Sequence, residues 1–179
     1  MKTELTLKGL SIDYLKECFY IKDWVLYWKD RKQDHFKTEK TWKIFKSNFS
    51  GKPAGKNNHG YLQTKISYRL HSNHRIIYFM LKGEIPNIVD HIDGNTLNND
   101  IKNLRSVTAS NNAMNCKTSV NNTSGQKGVY FHKSIRKYTA SVRVDGKLTH
   151  LGTFIDFDSA KQARLEGEVK HYGDYANDR

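Results

Sequence analysis

Apolar and polar positions along the chain change period several times, and each change marks an element. Residues 12–18 fit a short helix, and the aromatic-rich run FYIKDWVLYWKDR that follows favours a strand or hairpin. WKIFKSNF interleaves Trp42, Phe45 and Phe49 with Lys43 and Lys46. Basic residues between aromatics can clamp phosphates and stack on bases. A small amphipathic segment with its lysines in water fits the same pattern better. GKPAGKNNHG, residues 51–60, predicts a loop or turn pair. GYLQTKISYRL alternates Leu62, Thr64 and Ile66 with Gln63, Lys65 and Ser67, as a half-buried strand does. Ser72 is placed to cap a helix over residues 74–82, stopped by Gly83 and Pro86. That helix is apolar nearly all round, which predicts burial.

Between Asn87 and Asn122 there are ten asparagines, a bias that neither helix nor strand propensity explains. Asparagine suits turns and left-handed positions, and its amide braces loops by bonding to backbone groups, so a long braced loop is expected. Thr108 is placed to cap a short helix through Asn115, and residues 117–125 form a linker. Beyond it, KGVYFH, KYTASVRV and KLTHLGTF predict three strands, the last two joined by the hairpin signal Asp145-Gly146. Asp158 or Ser159 then caps a helix to about residue 172, whose stripe of Ala160, Ala163, Leu165 and Val169 is weakened by Gly167. The expected module is a three-stranded antiparallel sheet with one helix packed on it. In KYTASVRV, Tyr138, Ala140, Val142 and Val144 share one face, leaving Thr139, Ser141 and Arg143 to meet a ligand on the other.

With 179 residues the chain can hold one medium domain or two or three small modules. Hydrophobic residues at 37%, charged residues at 27% and only two prolines suit folded modules and exclude a disordered or collagen-like chain. No window approaches the apolar length of a membrane span, and MKTELTLKG lacks a signal core, so a cytoplasmic protein without a membrane partner is expected. Cys18 and Cys116 form no CxxC pair, which argues against a disulfide framework or a structural zinc and for buried thiols. The formal charge of +12 points to a polyanion, with nucleic acid ahead of membrane. Residues 1–60 carry 13 basic and 7 acidic side chains, residues 61–118 carry 7 and 4, and residues 119–179 carry 10 and 7. Every third is therefore basic, the first most of all.

The chemistry concentrates in VDHIDGNTLNNDIKNLRSVTASNNAMN, residues 89–115. Asp90-His91, the Asp93-Gly94-Asn95 turn, Asn98-Asn99 and Asn103-Leu104-Arg105 occur in the order and spacing of the HNH endonuclease motif. The segment resembles the variant, common among phage and intron-encoded homing nucleases, in which asparagine replaces the final histidine. WKIFKSNFSGKPAGKNNHGYLQTKI and HRIIYFM also resemble the upstream part of such phage proteins. The resemblance implies an α+β fold with a ββα-metal (His-Me finger) core. It implies His91 as general base, Asp90 as a metal ligand, Asn112 as the second ligand with neighbouring Asn111 as the alternative, and Asn103 as the residue that braces the loop and orients the histidine. Imidazole, with an ordinary pKa of about 6.5, can take a proton from water at neutral pH. One divalent cation, Mg²⁺ with Mn²⁺ as a substitute, would be held by hard oxygen ligands. Adjacent strand residues point to opposite faces, so Asp90 and His91 can share a site only where the strand ends or twists, as the following turn allows. His74 and Arg75 suit a structural role at the start of their helix. His35, His59, His71, His132, His150 and His171 lack metal-ligand spacing.

SGQKGVYFHKSIRKYTASVRVDGKLTHLGTFIDFDSAKQAR resembles the AP2 domain of plant ethylene-response transcription factors, carried by KGVYF, DGK, LGTF and SAKQAR. The resemblance implies a sheet laid in the DNA major groove, with Lys127, Tyr130, His132, Arg136 and Arg143 as contact residues. Tyr130 and Tyr138 stand where that family commonly has arginine and tryptophan, which favours backbone contact over base reading. The expected organisation is a basic, aromatic N-terminal region over 1–55, a nuclease core over 56–116, the linker over 117–125 and the AP2-like module over 126–179. The expected activity is metal-dependent hydrolysis of duplex DNA by a monomer, which would nick one strand, in a homing-type role. The alternative is a non-catalytic DNA-binding regulator that keeps the fold.

Overall fold

A computed structural model describes residues 5–108, 112, 122, 124–144 and 146–173. Most of the helix expected over 108–115, Asn111, Cys116, Asp145 and most of the linker lie outside the described residues. The chain divides into two compact units, Met1–Ser106 and Val107–Arg179. Among the described residues no helix is long and apolar enough to cross a membrane.

The first unit opens with a short hairpin of β1 (Thr6–Leu7) and β2 (Leu10–Ser11). Helix α1 (Ile12–Cys18) follows, its N-terminus closed by Ser11, whose hydroxyl accepts from the Tyr14 N–H. The aromatic run forms the expected hairpin, β3 (Phe19–Lys22) against β4 (Val25–Trp28). Its two-residue turn, Asp23-Trp24, has positive φ at both positions without a glycine. WKIFKSNF lies in α2 (Glu39–Phe49), started by a capping box between Thr38 and Thr41. Phe45 is buried from α2, and the Trp42 indole N–H donates to the Arg31 carbonyl at 2.9 Å. The amphipathic expectation thus holds for this segment.

Residues 51–60 turn as expected but also contribute β5 (Lys56–Asn58), which pairs with β6 (Tyr61–Ile66), and β6 pairs with β7 (Arg69–Ser72). Backbone bonds from Gly51 to Trp28 and from Ala54 to Leu26 tie this segment to β4, so residues on both sides of position 55 share one unit. Helix α3 (Asn73–Lys82) begins at Ser72 as the sequence predicts and ends at Gly83, whose φ of 72° supplies a left-handed stop. The Ser72 side chain makes no capping bond. Asn73 anchors the helix start instead: its Oδ1 accepts from the Thr64 hydroxyl at 2.7 Å and its Nδ2 donates to the Ala54 carbonyl at 2.8 Å, all buried. Gly55 is required beside it, because a Cβ there would sit 2.8 Å from Asn73 Nδ2 at a φ of 96°. Ile76, Ile77 and Phe79 of α3 meet Leu15, Cys18, Phe19 and Leu26 in the core, which extends to Val89 and Leu104. Those last two residues lie on β8 (Ile88–His91) and β9 (Leu104–Val107), a two-stranded sheet.

The second unit contains the expected antiparallel sheet, β10 (Val129–His132), β11 (Lys137–Val144) and β12 (Lys147–Phe154), in that order, with helix α4 (Phe157–Tyr172). Three details differ from the sequence expectation. The N-cap is Asp156, whose carboxylate accepts from the Ser159 N–H. The buried face of α4 is Ala160, Arg164, Gly167, Glu168 and Tyr172, while Val169 is exposed. Gly167 is the close-packing point of that face, since a Cβ there would meet Leu151 at 2.5 Å. A register shift between Ala140 and Ser141 buries Ser141 instead of presenting it to a ligand, and its carbonyl accepts from Arg164 Nη1. Arg164 also donates from Nε to Glu168 Oε1 at 2.9 Å, a buried ion pair one helical turn apart.

Candidate functional site

Strand β8 ends at His91, and the chain turns at once: the Gly94 N–H returns to the His91 carbonyl at 2.9 Å, with φ of 64° at Gly94. The loop from Ile92 to Asn103 is then built almost wholly by its own short polar side chains. Asp93, Asn95, Asn98 and Asp100 each accept from the backbone N–H two residues on, a chain of Asx turns. Asn98 Nδ2 donates to Asp93 Oδ2 at 2.7 Å, and Asn103 Nδ2 donates to Asp93 Oδ1 and to the Asn98 carbonyl. Asn103 Oδ1 in turn accepts from the Asp93 N–H at 2.9 Å. Partial desolvation would raise the Asp93 pKa, but the hydrogen bonds from Asn98, Asn103 and the Asn95 N–H outweigh it and hold the carboxyl below its ordinary value. The Thr96 hydroxyl ties the loop to the β5–β6 turn through the Gly60 carbonyl at 2.6 Å. Asn95, Asn98 and Asn103 thereby brace this loop, as the run of asparagines in it predicts.

This loop closes over His91, which is 3% exposed. Its Nε2 lies 3.2 Å from Asn99 Oδ1, a hydrogen-bond contact that orients the ring. The imidazole is flanked by the His74 ring at 4.9 Å, edge on, and the Tyr61 ring at 6.2 Å. Asn103 acts on the histidine through the backbone, because its carbonyl accepts from the Ile92 N–H at 2.9 Å. Asp90, one residue before His91, receives two bonds from Arg105 on β9: Nε and Nη2 both lie 3.1 Å from Asp90 Oδ2. Asp90 and His91 are thus the last two residues of β8, immediately before the turn.

Three of the residues singled out from sequence, Asp90, His91 and Asn103, therefore belong to one strand end and its loop. Asn112 falls in the second unit, its N–H donating to the Thr108 carbonyl at 2.9 Å as in a first helical turn. Asn99 and Arg105 were missed as individual contributors, although both lie in the motif. Asn99 was hidden among identical neighbours, and Arg105 could have been found only by knowing that its strand pairs with β8. Among the described residues no group of three His, Cys, Asp or Glu is gathered to hold a metal. The donor chemistry fits a hard divalent cation nonetheless, since such ions are held by one or two carboxylates with water and substrate oxygens filling the shell.

In the second unit, β10 presents Tyr130 and His132, both exposed, opposite Thr139 and Lys137. Arg143, exposed and opposite Leu148, continues this outer face of the sheet, and its Nη1 donates to the Gly146 carbonyl. Arg136 is exposed in the β10–β11 turn at a φ of 49°, and Lys127 is half-buried just before β10. Lys137, His150 and Thr153 are exposed residues of β11 and β12 that sequence inspection did not single out.

Residues 72–114, from the start of α3 through the braced loop, match a family model described as HNH endonuclease. Protein 3.8 of Escherichia phage T7 is 37% identical over 85 residues, spanning 46% of this chain and 70% of that protein. An uncharacterized HNH endonuclease of Acanthamoeba polyphaga mimivirus is 45% identical over 80 residues, 43% of this chain and 40% of that protein. No solved structure matches the chain. Because the family model covers α3, β8, the loop and β9, where Asp90, His91, Asn99, Asn103 and Arg105 all lie, and because the alignment with the phage protein extends over most of the latter's length, the chain belongs to the HNH endonuclease family.

Proposed function

We propose that the protein is a metal-dependent endonuclease that hydrolyses phosphodiester bonds of duplex DNA, with His91 as general base. The observation that carries this is the pairing of Asp90 and His91 at the end of β8, with the His91 Nε2 engaged by Asn99. Water held near His91 loses its proton to the neutral imidazole as it attacks phosphorus in line with the departing 3′ oxygen. Asn99 then holds Nε2–H of the imidazolium and keeps the ring from turning. Asn103 is a positioning residue, fixing the loop and the backbone next to His91. Arg105 positions Asp90 by holding one carboxylate oxygen from the neighbouring strand. A hard divalent cation, Mg²⁺ or Mn²⁺, bound by Asp90, would supply stabilisation of phosphate charge and of the leaving oxygen.

The outer face of the C-terminal sheet supports a role as the anchoring module. Tyr130, His132, Arg136 and Arg143, with Lys127 beside them, offer cations and hydrogen-bond donors to a DNA backbone, in the manner of an AP2-like sheet. One active site per monomer favours nicking, and the phage relative makes a homing-type role in the host cytoplasm the natural setting.

Supercoiled-plasmid cleavage with Mg²⁺, beside His91→Ala and an EDTA control, tests the proposal. Open-circle product that requires both the metal and His91 is expected. Tight DNA binding with no cleavage on cognate DNA, across several divalent metals, would replace the nuclease with a DNA-binding regulator.

A further inference from the structure

A second concave feature of the first unit lies apart from His91. It is a groove of about 590 Å³ between the α2–β4 aromatic cluster and the sheet formed by β5, β6 and β7. Trp28, Phe45 and Phe49 supply its aromatic wall. Phe45 stands edge-on to Trp28 at 5.1 Å and stacks on Phe49 at 5.6 Å and 26°. Phe49 is 47% exposed, so one ring surface is open. The opposite wall carries Lys56, Asn58, Gln63 and Lys65, with the Asn58 amide donating to Gln63 Oε1 at 2.9 Å. Among the described residues lining the groove, Arg31, Lys56 and Lys65 are cationic and none is acidic.

The groove is connected to the candidate active site by one strand. Tyr61, Gln63 and Lys65 alternate onto the same face of β6. Tyr61 is the ring beside His91 and His74, and Lys65 lies about 13 Å further along the strand. A nucleic-acid strand whose phosphate sits at His91 can follow this face into the groove. The groove has room for a single nucleoside, within the usual range of small-ligand sites. An aromatic surface rimmed by cations is how proteins hold unpaired bases without reading sequence.

We propose that this groove receives one unpaired nucleobase of the DNA substrate, stacked on Phe49, with the Asn58 and Gln63 amides at its edge and Lys56 and Lys65 against the flanking phosphates. The proposal rests on His91 marking the cleavage centre and deepens that function. It makes the preferred substrate a duplex with an unpaired or easily extruded base next to the cut, because extrusion costs least there.

The test uses full-length His91→Ala protein, which holds DNA without consuming it, and duplexes carrying 2-aminopurine either as a single-base bulge or fully paired. Binding should quench the bulged probe several-fold, and the bulged duplex should bind at least tenfold more tightly than the paired one. Adding Phe49→Ala should remove both effects. Equal affinity for the two duplexes, or quenching that survives Phe49→Ala, would overturn the groove while leaving the nuclease standing if wild-type protein still cuts plasmid. Failure to bind any DNA would overturn both. Displacement of the bulged probe by polyglutamate as readily as by unlabelled DNA would assign the groove to an acidic peptide instead.

Discussion

His74 provides a quantitative test of how the first unit is held together. It is buried at the start of α3 against His91 and Tyr61, and burial first, then the nearness of His91 and Arg75, pushes its imidazole down to about 3. An unfolded histidine titrates near 6.5. Between those values the unfolded chain binds a proton that the folded chain refuses. Stability from this residue is therefore complete above pH 6.5 and is lost as pH falls from 6.5 toward 3, by about 1.4 kcal/mol per unit. At pH 5 the loss is about 2 kcal/mol, a large part of the ~5–15 kcal/mol that ordinary domains possess. All three tryptophans, Trp24, Trp28 and Trp42, lie in the first unit, so their fluorescence follows its unfolding selectively. With a urea m-value of about 2 kcal/mol/M, the wild-type midpoint should fall about 1 M further between pH 7.5 and 5 than that of His74→Gln. His71, which burial, Lys8 and Arg69 shift in the same direction, is present in both proteins and drops out of the comparison. An equal response to pH in the two proteins would refute the assignment.

Arg105→Lys should lower cleavage by about 10–100-fold, with duplex affinity within twofold by gel shift, because lysine cannot reproduce the two bonds to Asp90 Oδ2. Asn103→Ala removes bonds to Asp93 and Asn98 and should cost on the order of 2 kcal/mol locally, read as faster hydrogen exchange at Asn95, Leu97 and Asp100. Glu168→Ala should destabilise the second unit by about 3–5 kcal/mol by leaving Arg164 buried and unpaired; exchange of the β11 amides would report it, and unchanged protection would count against the ion pair. Gly128→Ala should be comparably severe, since φ there is +76° and a Cβ would lie 2.5 Å from the Ser141 carbonyl oxygen; thermal unfolding followed by near-UV circular dichroism checks it.

Where the sequence could be read and where it could not follows from the range of the interactions involved. The β3–β4 hairpin was legible from its aromatic composition, although its Asp23-Trp24 turn has no glycine, whereas α3 with its glycine stop and the three C-terminal strands were legible because period and turn residues act over a few positions. Strand β7 was not, because its turn from β6 uses Ser67 and Tyr68 at φ of 47° and 64°, where a turn signal would be glycine or asparagine. The buried face of α4 was misjudged because Arg164 and Glu168 read as solvent-facing charges until each is seen to be the other's partner inside the module. At the candidate site, Asp90, His91 and Asn103 stood out through residue type and spacing. The Arg105–Asp90 and Asn99–His91 contacts did not, since one depends on strand pairing and the other on the fold of a loop crowded with asparagines.

That loop also explains why the site can exist before DNA arrives. Its bonds span two to ten residues, and its main long-range tie is Thr96 to Gly60, so it is built by local closure once β8 and β9 pair. His91 Nε2 is met by the neutral Asn99 amide, which fixes the ring's orientation. The charged partner acts one residue away, where Arg105 holds Asp90. Neighbouring positions at a single strand end are thus held by different devices, a neutral one for the residue proposed to take up a proton and an ionic one for the residue proposed to stay anionic. Exchanging them is the informative perturbation: Asn99→Asp would place a carboxylate on His91 Nε2 and favour the imidazolium, so the acid limb of a cleavage profile should move to higher pH. A profile that stayed in place while overall activity fell would mean that Asn99 shapes the loop and does not set the state of the histidine.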